Sequence, residues 1–491
     1  MKRFFTLLFF VLLLCNMQSY AQFVSGGTGT FYTFESLSQI DTSGVVKSGS
    51  EYSVSKDITI SSEDTLNVEN NITVKLADGV TIYVSGIGIF APADTAVFTR
   101  LDENSSPKGI YFNEDSATTV IKNITFEYGG VKYIKAGSVL ITNCSFKEIN
   151  KLLNYSSALG LGNNTVLVAN CSFISNEGAA VNSAANYTCN LTFRDNYLFD
   201  NNTSNVNSPQ INMSNINEAV TIISGNTIIG TERTMVGGIA VSNMISQTLN
   251  AGNVVIEGNT VKKCRYGITT IGPLNVTIKS NILVDNKYDT NPMNGGSGMS
   301  LYDPYYKQKV VVTENLITDN YWGITVIGCG DVNIGKTGNP QAVDYNPGLN
   351  VFKDNGNNDA LYDLYNNSTN TVYAQGNTWN VAVQDAESIE SVIFHKPDNA
   401  ALGEVIYMPD GSGIDATSRD SQACYYDAST KSLILLISEN VNVSVYSLSG
   451  RFVFGAENPK DIVTLPSGLQ KGIYFAKVFD GNKTSVLKFI Y

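Results

Sequence analysis

Along the middle of the chain, apolar and polar residues alternate in short runs rich in Val, Ile, Thr and Phe, and each run stops at Asn, Asp, Gly or Ser. Alternation with period two predicts short strands with one buried face. The stops are turn formers: Gly admits positive φ, and Asn closes turns through its side chain. The runs recur as related phrases: IKNITF from Ile121, ITNCSF from Ile141, VANCSF from Val168, FRDNYLFDN from Phe193, ISGNTI from Ile223, IEGNTV from Ile256, IKSNILVDN from Ile278 and VTENLITDN from Val312. Their shared Asn falls at 123, 143, 170, 196, 226, 259, 281 and 315, with gaps from 20 (123 to 143) to 34 (281 to 315). A second phrase keeps time with the first, as YGITTIG from Tyr266 and WGITVIG from Trp322.

Such short strands cannot each close a sheet. Stacked in register, every coil lends its backbone N–H and C=O groups to the next, and alternate side chains fill a shared interior. The pattern predicts an all-β chain, a parallel β-helix solenoid followed by a small antiparallel β-sandwich. A β-propeller would need longer blades, and a leucine-rich horseshoe a regular Leu pattern. Equivalent Asn residues are expected to form a hydrogen-bonded ladder.

The expected organisation has five parts. Residues 1–21 read as a signal peptide: Lys2 and Arg3, an apolar Phe4–Leu14, then Ser19-Tyr20-Ala21 as cleavage site. Residues 22–69 read as an N-terminal cap region, because a coil stack exposes strand edges that need cover. Residues 70–408 read as the β-helix, closed by a lid with an apolar helical face at Ile389, Val392, Ile393 and Phe394. Residues 409–423 read as a linker. Residues 424–491 carry longer alternating strands with turns such as Ser449-Gly450, the pattern of an antiparallel sandwich. No stretch after the signal is apolar enough for a transmembrane segment.

Asn makes up roughly one residue in nine, while charged residues are only 15%, against about 25% in average proteins. Thirty-two Lys+Arg against 44 Asp+Glu give a net charge of −12, which argues against nucleic acid as a partner. Six cysteines remain beyond the signal: Cys144, Cys171, Cys189, Cys264, Cys329 and Cys424. An exported chain permits disulfides. However, Cys144 and Cys171 stand where Ile124 stands in a sister phrase, which favours buried thiols.

Two resemblances add to this reading. Val445-Tyr446-Ser447-Leu448-Ser449-Gly450-Arg451, then Leu469-Gln470-Lys471-Gly472-Ile473-Tyr474-Phe475, then Thr484-Ser485-Val486-Leu487-Lys488-Phe489 resemble the C-terminal sorting domain of the type IX secretion system. That resemblance implies the type IX secretion machinery as partner of 424–491, and a secreted or outer-surface location on a Gram-negative bacterium. The repeat resembles the right-handed parallel β-helix superfamily that includes pectate lyases, which implies a right-handed parallel β-helix solenoid.

Candidate chemistry is sparse. Uronate lyases need a basic residue for the C5 proton and a cation for the carboxylate. Lys263, Arg265, Asp303 and Lys307 are the catalytic candidates on that logic. Tyr266, Tyr302, Tyr305, Tyr306 and Trp322 supply rings that suit a sugar. Asp285 and Asp319 recur at one point of the repeat and could share Ca²⁺, or serve the turns; no cofactor is required. The lone His395 reads as a structural residue of the lid. The expected function is adhesion or glycan binding without catalysis, with an extracellular glycan or host surface as partner. The alternatives are a polysaccharide lyase or glycoside hydrolase, and a purely structural layer protein.

Overall fold

The computed structural model describes residues 22–113, 119–134, 137–150, 157–183, 188–216, 218–244, 251–289, 294–357, 362–408, 423–437, 441–447, 451–470, 472–481 and 484–491. The expected signal peptide (1–21) and residues 409–422 of the expected linker lie outside them.

Three long parallel sheets run the length of the rod, in the order I, II, III around each coil. Sheet I has 14 strands, from Phe23–Val24 to Ile393–Phe394; sheet II has 14, from Phe31–Tyr32 to Val405–Ile406; sheet III has 13, from Val45–Ser48 to Val351–Lys353. Every neighbouring pair is parallel except Val45–Ser48 with Glu51–Val54, which closes sheet III antiparallel at the N-terminal end. The chain is a parallel β-helix. Two antiparallel sheets of three and four strands follow, from Cys424–Asp427 to Thr484–Ile490, with a separate core.

In-register stacking places one inward position of each coil directly over the next. Phe98, Phe126, Phe146 and Phe173 form such a file in sheet III. Their ring centroids are 5.6, 5.1 and 4.7 Å apart, close to the strand spacing of about 4.8 Å that generates the stack.

The expected Asn equivalence needs correction. From Asn123 on, each II–III turn holds a residue with positive φ followed by an inward residue: Ser280-Asn281 and Glu314-Asn315, for example. Asn196, Asn226, Asn259, Asn281, Asn315 and Asn350 occupy the inward place and form one continuous ladder. Asn123, Asn143 and Asn170 occupy the preceding, left-handed place (φ 58°, 55° and 54°). Ile124, Cys144 and Cys171 are then the inward residues. Asn suits both places, since it tolerates left-handed backbone and also has an amide to stack. The phrases are therefore offset by one residue. A second ladder follows the III–I turns, through Asn286, Asn320 and Asn355 to the buried Asp363.

Residues 22–69 already contribute strands to all three sheets, because Val54, Ile58, Ile60 and Leu66 alternate inward as later coils do. Their turns lack the Asn phrase, so the repeat is silent there. The end itself is plugged by helix α1 (Phe34–Ile40), capped by Thr33, with Phe34 and Leu37 buried. At the other end, helix α2 (Ala386–Glu390) and His395 hold the lid. His395 Nδ1 accepts from the Val405 N–H at 2.8 Å, so Nε2 carries the proton toward Glu390 Oε1 at 3.0 Å. All six cysteines are buried, free thiols.

Candidate functional site

From Lys122 to Leu316 the II–III turns are tight and leave little room for function, and there the longer turns border sheet I on both sides; the Gly335–Val351 connection is a long II–III turn. Along the outer face of sheet I, register fixes one file of side chains: Asn182, Asn212, Ala240, Thr269, Ser300, Thr325, Tyr365 and Phe394. From Asn182 on, the file carries no charge; two coils earlier the same file holds Lys132, which is buried. Asn212 donates to Asn182 at 3.1 Å, and Thr269 Oγ1 donates to the Ser300 carbonyl at 3.1 Å. Most members are half-buried, so amide and hydroxyl groups remain open to a ligand.

The file ends in an aromatic cluster. Trp322 stacks on Tyr362 at 5.4 Å and meets Tyr365 edge-on at 5.0 Å. Tyr365 stacks on Phe394 at 4.7 Å with an interplanar angle of 6°. Trp322 is 8% exposed and underpins the half-exposed Tyr362, Tyr365 and Phe394. Burial pushes the Tyr365 phenol up, and the neighbouring Tyr362 adds to it. Neutral rings beside amides and hydroxyls make a surface for sugar faces and sugar hydroxyls.

The expected catalytic residues stand on opposite borders of sheet I. Lys263 and Arg265 lie in a III–I turn; Asp303 and Lys307 lie in a I–II loop. Lys263 has positive φ and pairs with Glu232 at 3.0 Å. Arg265 is 8% exposed; its Nε meets Asp289 at 2.8 Å and its Nη1 donates to Asn207 Oδ1 at 2.8 Å. Asp303 is fully buried, and its carboxylate accepts from the backbone N–H groups of Tyr305, Lys307 and Gln308 at 2.9, 2.7 and 2.6 Å. It staples its own loop, and Lys307 is exposed on it.

Of the expected ligand-binding residues, Trp322 joins the aromatic cluster. Tyr302 faces outward between Ile271 and Ile327. Tyr305 and Tyr306 are exposed on the Asp303 loop. Tyr266 is packed beneath Gly237, where an added Cβ would lie 2.1 Å from its ring. Asp285 and Asp319 sit on adjacent coils, both with positive φ, so their backbones make the turns. Lys287 Nζ lies 2.5 Å from Asp319 and 3.5 Å from Asp285, and Tyr288 donates to Asp285 at 2.7 Å. An ammonium group thus stands between the two carboxylates. Among the described residues, no group of three His, Cys, Asp or Glu side chains is placed to hold a metal ion.

Asn182, Asn212, Tyr362, Tyr365 and Phe394 were not expected from sequence. Aligning YDLYNN from Tyr362 with WGITVI from Trp322 would have put Tyr365 opposite Thr325, as the register does.

A larger cleft, about 1,830 Å³, opens elsewhere, between sheet III and the C-terminal sandwich. One of its walls belongs to the terminal sandwich, so it is not a feature of the rod alone.

Residues 429–491 match the family described as the secretion system C-terminal sorting domain. Residues 194–384 match a family described as a protein of unknown function, DUF1565. No curated protein matches the chain. Among solved structures, the chain is similar to the periplasmic alginate epimerase AlgG, at 9% identity over 79% of this chain and 85% of that one, with a TM-score of 0.37. The fold and the terminal domain together define a β-helix rod that carries a type IX sorting domain. It is a secreted or cell-surface protein handled by that system. No helix among the described residues is long and apolar enough to cross a membrane.

Proposed function

We propose that the protein is a non-catalytic rod, displayed on the outer surface of a Gram-negative bacterium, that binds an extended neutral glycan along the outer face of sheet I. The observation that carries this reading is the uncharged file from Asn182 to Thr325 ending in the Tyr362–Tyr365–Phe394 platform. Successive coils present equivalent groups about 4.8 Å apart, about the length of one extended pyranose unit. Amides and hydroxyls then meet sugar hydroxyls rung by rung, and the rings take the apolar sugar face. The absence of charge in the file favours a neutral glycan over a uronate. Arg265 is engaged by Asp289 and Asn207 of neighbouring turns and Asp303 by its own loop, which supports binding without catalysis.

The test is a panel of neutral and acidic polysaccharides and host-matrix components, bound to the rod with Tyr362→Ala and Tyr365→Ala as controls. A neutral glycan whose affinity falls about tenfold in each variant, a loss of roughly 1.4 kcal/mol, supports the reading. A panel without a ligand, or a ligand indifferent to both variants, overturns it. New reducing ends or unsaturated products would establish a hydrolase or lyase instead.

A further inference from the structure

The outward positions of sheet III change character along the rod. In the early coils they are mostly polar, with Thr73, Lys75, Thr99, Thr125, Glu127 and Lys147 beside the single apolar Val97, as a solvated sheet face requires. In the later coils Phe199, Ile229, Ile282, Val284, Leu316 and Val351 take the same register. Ile229 is 7% and Leu316 only 1% exposed, although both point away from the rod interior. The coil between Ile229 and Ile282 turns Thr260 and Lys262 outward, so the apolar positions form two groups on either side of Lys262, and apolar groups of this kind on a rod wall mark a contact surface.

The terminal sandwich faces these coils, with Ile282, Leu316 and Val351 lining the cleft between it and sheet III. Lys262, in the same outward file, places Nζ 2.8 Å from Asp427 and 2.5 Å from the Ser429 hydroxyl. Both ion-pair side chains are largely withdrawn from water, at 16% and 10% exposure. Burial by itself would raise the Asp427 carboxyl, yet the hydrogen bonds from Lys262 and Ser429 hold it below its ordinary value. Lys353, two coils further on from Val284, donates to the Leu436 carbonyl at 3.1 Å. The cleft noted above is the wedge left beside these contacts, with the edge strand Thr484–Ile490 on its far wall.

We propose that the later coils of sheet III are a docking surface built for the chain's own sorting domain. The apolar groups and Lys262 hold the sandwich as a folded partner, keep those groups shielded during export, and retain the domain after the connecting segment is cut. The choice of occupant rests on charge complementarity at Lys262 and Asp427, and on the change from polar to apolar residues where the sandwich sits.

The experiment uses the full chain with a specific protease site inserted within residues 409–422, cut after folding and passed over a sizing column. The rod and the sorting domain are expected to co-elute at micromolar concentration. Lys262→Glu and Leu316→Lys are expected to weaken retention at least tenfold, with the rod still folded by circular dichroism. Adding Asp427→Lys to Lys262→Glu is expected to restore it. Separation of the cut wild-type fragments, or retention that ignores both single variants, overturns the proposal.

Discussion

Asn281 and Asn315 stand one coil apart in the interior, and Asn281 donates both its side-chain amide, at 3.0 Å, and its backbone N–H, at 2.9 Å, to the single Oδ1 of Asn315. The same two bonds run from Asn259 to Asn281. The side-chain ladder thus does for the turn what the backbone ladder does for the strand.

Asn281→Ala removes the acceptor of the buried Asn259 backbone N–H and the bond to the Ile256 carbonyl. The expected cost is about 2–3 kcal/mol. Because coils contact only their neighbours, the loss stays local. Hydrogen exchange should quicken around residues 256–284 before global melting changes. Asn281→Cys should cost less, since Cys171 fills an equivalent rung and accepts from the Cys144 N–H at 3.4 Å. Equal exchange rates in the two variants would contradict the ladder's role.

Asp363 ends the second ladder, accepting from Asn355 Nδ2 at 3.1 Å and from the Asn380 N–H at 2.8 Å. Burial raises its carboxyl from 3.8 to about 7, against the pull of those two bonds. The folded state therefore keeps a proton that the unfolded chain releases, so stability falls as pH rises from about 4 to about 7. The loss from this one group is on the order of 4 kcal/mol. Asp363→Asn has no titration and turns an amide N–H₂ toward a donor. Wild type should exceed the variant in stability most clearly near pH 5, and the gap should narrow toward pH 8. Thermal melts of both proteins across that range measure it; a gap constant with pH would refute the assignment.

His395 is the fastener of the lid. His395→Ala leaves the Val405 N–H without its acceptor and frees Glu390, which also takes the Tyr407 hydroxyl at 2.7 Å. The expected cost is about 2–3 kcal/mol, localised to the last coil. Since Phe394 belongs to the aromatic platform, glycan affinity should fall with it. Intact protection of the Val405 amide in the variant would show that the contact is dispensable.

The coil, the short strands and the sorting domain are legible in residue order, since alternation and turn chemistry are local signals. The left-handed residue before each inward Asn was harder to see. Asn123 and Asn196 look alike in their phrases, yet one is left-handed at the turn and the other is inward. The face proposed to bind a glycan was mostly missed. Tyr305 and Tyr306 are conspicuous in LYDPYYKQK but belong to a loop stapled by Asp303, whereas Tyr365 sits in an ordinary-looking strand.

By itself, the sequence determined that this chain folds as stacked coils with stacked turn residues, because each strand and turn is specified by a few consecutive residues. Only the tertiary structure decided which side chains share a face. Partners in one ladder are 22 residues apart at Asn259–Asn281 and 35 at Asn315–Asn350. Turn lengths vary between coils, and a shift of one residue moves a side chain from the interior to the surface. Three-dimensional register therefore set Thr325 beneath Tyr365 on sheet I, and Lys262 beneath Asp427 on sheet III.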